Sequence, residues 1–206
     1  AKGINFLYSC GGRIQDYWGM GKATGDLLMM IAVPTTAGTG SEVQSFALIA
    51  DTETHLKMAC GDPRAAFRVA ILDPELTTTQ PPRVAALSGF DALAHAVETY
   101  VTRKRNSLSC RYACKAWQRL APNFLQMLRA PHDLAKRDQL QLGATLAGLA
   151  IEYSMLGAAH ALANPLTATY GITHGEAVAL MLPQVVLFNA QACDHWYREL
   201  LTTTAH

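Results

Sequence analysis

Apolar positions follow two different rhythms along this chain. Up to about residue 75 they come in short runs closed by turn residues. Residues 27–33 form one run, ended by Pro34, and residues 69–72 another, ended by Asp73-Pro74. Residues 45–50 and 56–60 flank Asp51-Thr52-Glu53-Thr54. Runs of this kind predict short strands, and the flanking pair predicts a hairpin with a loop of about four or five residues. Residues 1–8 predict a helix entered in mid-course, with no N-cap. After Gln80-Pro81-Pro82 the rhythm lengthens to that of helices, expected near 82–103, 107–129, 133–156, 157–169 and 176–190. Pro165 and Pro183 are expected to kink or end helices.

The change of rhythm implies an α/β portion over residues 1–75 and an all-α layer over residues 76–206, the first too small to stand alone as a doubly wound sheet. Of 206 residues 50% are hydrophobic and only 16% charged. That is below the ~25% of an average soluble domain, which excludes a disordered chain and points to buried helix or a homo-oligomer face. A net charge of +1 implies no nucleic-acid partner. The five cysteines are odd in number and scattered. Cys110 and Cys114 do not make a Cys-x-x-Cys pair, so a reducing, cytoplasmic setting is expected. Residues 1–9 lack the order of a signal peptide. The most apolar long stretch, 142–163, contains Glu152 and His160 and reads as buried helix rather than a membrane span.

Charged and imidazole side chains inside apolar helices are the candidate chemistry. Asp91 and His95 stand at i and i+4, on one face of a helix whose only other formal charge between Arg83 and Arg103 is Glu98. A buried carboxylate needs a cation or donors, so something positive should face Asp91. An Asp–His ion pair would satisfy the same pattern. His160 lies among small apolar residues and His174 just before an apolar helix. Taken singly, His160 reads more simply as a packed core histidine and His174 as a residue at a helix N-terminus. Together, one carboxylate and three imidazoles on consecutive helices match a mononuclear site for a divalent metal with room for an oxygen ligand. Pro34 to Glu42 follows an apolar run and consists of small, hydroxylated and glycine residues. It offers N–H and hydroxyl groups to a phosphate or ribose, or else is a solvated turn.

The chain resembles the iron-containing (group III) alcohol dehydrogenase family. The resemblance is carried by VPTTAGTGSEV at 33–43, ILDPELT at 71–77 leading into PPRVAALSGFDALAHAVETYV at 81–101, LGAAHALANPL at 156–166 and HGEAVALMLP at 174–183. It implies a remnant of a Rossmann-like nucleotide-binding domain followed by an all-α metal-binding domain. It also implies Asp91, His95, His160 and His174 as ligands to Fe(2+) or Zn(2+). Thr35, Thr36, Thr39, Gly40 and Ser41 would fall in the loop that approaches NAD(P), and Lys57 beside the cofactor ribose. The implied reaction is hydride transfer between an alcohol and NAD(P), the metal polarising the substrate oxygen.

Two departures from the family stand out. Asn164 occupies the place of a family histidine by the nicotinamide, and a neutral amide cannot relay a proton at pH 7. The family's glycine-rich pyrophosphate loop would precede Ala1, and the chain stops amid the helical layer, so an internal segment is expected. A non-catalytic metal-binding fragment is therefore one alternative. A metal-assisted hydrolase or lyase using Glu98, Glu152 or Glu176 as base is another. Trp18, Trp117 and Trp196 are expected to pack, as are Met29, Met30 and Met181. Arg103-Lys104-Arg105 reads as a solvated loop, and His55, His132 and His195 as surface residues.

Overall fold

A computed structural model describes residues 1–54 and 56–204, so the expectation for His55 lies outside the described residues. Helix α1 (Lys2–Cys10) opens the chain where a helix is expected. Five short strands follow: β1 (Gly19–Met20), β2 (Ile31–Ala32), β3 (Phe46–Ala50), β4 (Lys57–Gly61) and β5 (Val69–Ala70). β3 and β4 form the expected antiparallel hairpin, pairing from Phe46 with Gly61 to Ala50 with Lys57, and β1 adds to β4 in parallel. β2 and β5 make a separate parallel pair. The run at 27–33 thus yields a strand of only two residues. Its first half is paired by a side chain instead: Asn5 Nδ2 donates to the Leu28 carbonyl at 2.9 Å, and Leu28 N–H donates to Asn5 Oδ1 at 3.0 Å. β1 carries no apolar run and was not expected.

The rest is helical: α2 (Pro82–Val101), α3 (Ser107–Arg129), α4 (Leu134–Glu152), α5 (Ala158–Tyr170) and α6 (His174–Thr202). Proline at the first position starts α2. The Asn106 side chain caps α3 at Leu108 and Ser109, and Asp133 caps α4 at Lys136. Stretch 142–163 spans the end of α4 and the start of α5, with the break just before the helix expected from 157. Pro165 and Pro183 interrupt neither α5 nor α6. Each forfeits one backbone bond while the neighbouring turns hold. α6 continues past 190 and bends at Cys193 instead. By length and composition α6 could cross a membrane, but Ala177, Val178, Leu182 and Val185 on it belong to the core.

Small residues bring the helices close. Ala92 and Ala96 of α2, Ala116 and Leu120 of α3, and Leu140, Ala144 and Ala147 of α4 form one buried cluster. A second joins α2 and α6, and a third lies under the hairpin around Phe6, Met58 and Cys60. Several surface readings need correction. Arg105 is held over the Tyr100 and Trp196 rings, at 4.9 and 4.1 Å, rather than solvated. Trp18 and Met29 are exposed rather than packed. His132 and His195 are exposed.

Candidate metal centre

One stripe of α2 carries Asp91, His95 and Glu98, at i, i+4 and i+7, and all three are buried. His160 stands in the first turn of α5 and His174 is the first residue of α6. α6 reaches α2 this closely because Gly175 has no side chain; a Cβ there would lie 2.5 Å from the Leu87 carbonyl oxygen.

Three imidazoles converge on one carboxylate oxygen. From Asp91 Oδ1 the Nε2 atoms of His160, His95 and His174 lie at 3.2, 3.4 and 3.8 Å. Ion–ligand bonds of about 2.1 Å give edges of about 3.0–3.5 Å between neighbouring ligands, a range that His160 and His95 meet and that His174, at 3.8 Å, would reach by a small inward shift onto a shared ion. The His95 and His160 rings stack at 4.8 Å. The ligand atoms of Asp91, His160 and His174 lie within 4.8 Å of one another. His95 adjoins that set through Asp91.

The charges fit the same reading. Burial alone would raise the Asp91 carboxyl, but His95, the His160 hydrogen bond and His174 hold it well below the usual carboxylate range. Burial pushes His95 and His174 down to about 4, against the pull of Asp91. Burial would lower His160 too, yet its hydrogen bonds to Asp91 and Glu98 lift it to about 9. The cluster so holds a carboxylate, two neutral imidazoles and a proton in the place suited to a cation. Nδ1 of His174 is buried without a partner, and Nδ1 of His95 faces the Gly38 carbonyl without a full hydrogen bond.

A cavity of about 470 Å³ opens beside the cluster. Asp91, His95, His160 and His174 line one wall, with Asn164 one turn beyond His160. Thr39, Ser41 and Lys57 line the other, with Phe46 and Leu48 of β3. Lys57 is partly desolvated, which lowers its ammonium against the pull of Asp91. Thr35 and Thr36 are not among the lining residues, and neither is Gly40. Gly40 is instead buried in the left-handed region (φ 61°). A Cβ on it would lie 2.5 Å from Gly148 Cα on α4.

Other contacts are not visible in the sequence. Lys2 Nζ donates to the Ser41 and Phe46 carbonyls at 2.6 and 3.1 Å. Thr145 donates to Glu42 Oε1 at 2.6 Å, and Ser45 N–H to Glu152 Oε2 at 3.0 Å. Glu98 Oε2 accepts from His160 Nδ1. The one signal for Glu98 was a lone second charge in an apolar helix. Glu176 pairs with Arg83 at 2.6 Å. Glu98, Glu152 and Glu176 are thus all engaged elsewhere, and none lines the cavity.

Two family models match in chain order. Iron-containing alcohol dehydrogenase matches residues 1–74, and the Fe-containing alcohol dehydrogenase family, C-terminal, matches residues 85–205. Alcohol dehydrogenase 4 of Schizosaccharomyces pombe is 37% identical over 93% of this chain and 45% of its own length. An NAD-dependent methanol dehydrogenase of Bacillus methanolicus is 32% identical over 92% of this chain and 50% of its own. A crystal structure of 1,3-propanediol oxidoreductase superposes with a TM-score of 0.94 at 33% identity, covering 100% of this chain and 54% of that one. The chain spans about half the length of the curated relatives it matches. Backbone path and sequence agree from the first strands to the last helix, and the chain belongs to the iron-containing alcohol dehydrogenase family.

Proposed function

We propose that this chain serves an alcohol dehydrogenase reaction, in which a hydride moves between an alcohol and NAD(P). The carrying observation is one shared cavity lined by four metal-type ligands and by Thr39, Ser41 and Lys57. In this reading residues 76–206 supply the ion-holding part and residues 1–75 the cofactor-facing part. Asp91, His95, His160 and His174 would hold Fe(2+) or Zn(2+), which supplies Lewis acidity at the substrate oxygen. The relative named as NAD-dependent supports the nicotinamide cofactor.

The chain's own groups divide the work. Thr39 and Ser41 offer hydroxyls, and Lys57 a cation, to the polar parts of the cofactor. Thr35 and Thr36 act on the outer loop, and Gly40 by fixing its path. Phe46, Leu48, Ile151 and Leu156 form the apolar lining, which excludes water from a small alcohol or aldehyde. Asn164 can donate to or accept from a substrate hydroxyl but cannot relay a proton by ionising. Asn164→His is therefore expected to add an ionisation to the pH–rate profile; an unchanged profile would remove position 164 from proton transfer.

The partner is a small molecule rather than nucleic acid or a membrane. The low charged fraction and the exposed Ile4, Tyr8, Leu187 and Phe188 support self-association. Five free thiols suit the reducing cytoplasm. The reading is tested by loading the protein anaerobically with Fe(2+) or Zn(2+) and titrating NADH by fluorescence, then assaying NADH formation with short primary alcohols. Metal-dependent binding and turnover are expected. Metal bound without any NADH response would leave a metal-binding module.

A further inference from the structure

We infer that Glu98 is a positioning residue that sets the ion affinity of the cluster by gripping His160 and the start of α5 together; this rests on the metal-centre reading above. Two donors from α5 converge on one carboxylate. Ala159 N–H donates to Oε1 at 2.7 Å, and His160 Nδ1 donates to Oε2. The grip is needed because α5 has no cap of its own: its N-cap is Gly157, which offers no side-chain acceptor. Glu98, from the neighbouring helix α2, takes that role and places a negative charge at the positive end of α5.

The same contact fixes the imidazole. With Nδ1 donating to Glu98, Nε2 is the nitrogen turned to Asp91 Oδ1, where a ligand atom has to point. Gly157 makes the room. A Cβ at that position would lie 2.8 Å from Glu98 Oε1, and the two hydrogen bonds leave the carboxylate little freedom to retreat. Glutamine cannot substitute. Its carbonyl oxygen can occupy only one of the two places held by Oε1 and Oε2, so its NH2 would face the other donor.

The experiment uses the full chain and two readouts. Zn(2+) affinity is measured by competition with a chromophoric chelator, and the His160 Nδ1–H proton by ¹H–¹⁵N NMR with and without Zn(2+). Glu98→Gln is expected to weaken Zn(2+) binding by about 10–100-fold. It is also expected to move the Nδ1–H resonance upfield in both states. Gly157→Ala alters no ion-facing group, yet should weaken affinity in the same direction by disturbing Glu98. It also keeps the test valid if Glu98→Gln fails to fold. Unchanged affinity in a folded variant, or an unmoved Nδ1–H resonance in Glu98→Gln, overturns the role of Glu98. Failure of the wild-type protein to bind Zn(2+) or Fe(2+) overturns the metal-centre reading instead, and the resonance in the unloaded protein then still judges the Glu98–His160 contact.

Discussion

The two walls of the cavity are built by different means. The wall bearing Asp91, His95, His160 and His174 stands on long helices packed alanine against alanine, and its short side chains have few torsions to spend. The opposite wall is a loop and a hairpin in a region whose strands run only two to five residues. Leu28, Met29, Ile31, Val69 and Ile71 stay exposed there. That wall acquires its position by attachment. Thr145 and Glu152 hold it to α4, Lys2 holds it to α1, and Gly40 lies directly on Gly148. Geometry thus originates in the helices and reaches the loop-and-hairpin side through a few tethers.

This contrast is broken most severely at its source. Asp91→Ala removes the oxygen on which three imidazoles converge, and elemental analysis should find the bound divalent ion lost. Retained metal would show that the helical wall does not depend on that hub. Gly148→Val attacks the tether between the walls. Its Cβ would start 2.5 Å from the Gly40 carbonyl oxygen, backbone against backbone. Overpacking of this kind costs about 1–3 kcal/mol, readable by urea unfolding. Lys2 sharpens the comparison through pH. Burial lowers its ammonium to about 8, with Glu152 and Glu42 opposing, against an ordinary value of 10.5. Between those values the unfolded chain binds the extra proton, so stability should rise as pH climbs from about 8 towards 10.5. Lys2→Met should flatten that slope in denaturation curves. The smallest effect belongs to the strand region's outer edge. Met29→Ser, at a side chain 83% exposed, should change stability by no more than about 0.5 kcal/mol.

The sequence disclosed the helices better than the strands, for a physical reason. α2, α3 and α5 repeat their apolar positions over many turns and carry punctuation at their ends, so their bounds fall within a few residues of expectation. β1 is two residues long and is made by its partner β4. The 27–33 run had the composition of a strand, but Asn5, distant in sequence, supplied the hydrogen bonds. The same distinction holds at the site. Asp91 and His95 reveal themselves by helical spacing, and His160 and His174 by being polar in apolar surroundings. The Glu98 contact joins residues on separate helices, and the burial of Lys2 depends on carbonyls of the loop. No local pattern encodes either one.

The backbone contact between Gly40 and Gly148 constrains how this molecule can diversify. A larger residue at one position cannot be rescued by a smaller one at the other, since neither has anything left to remove. The two sites are locked independently. A mutational library intended to reshape the pocket should hold both constant and place its diversity at Phe46, Leu48, Ile151 and Leu156, where side chains border open space.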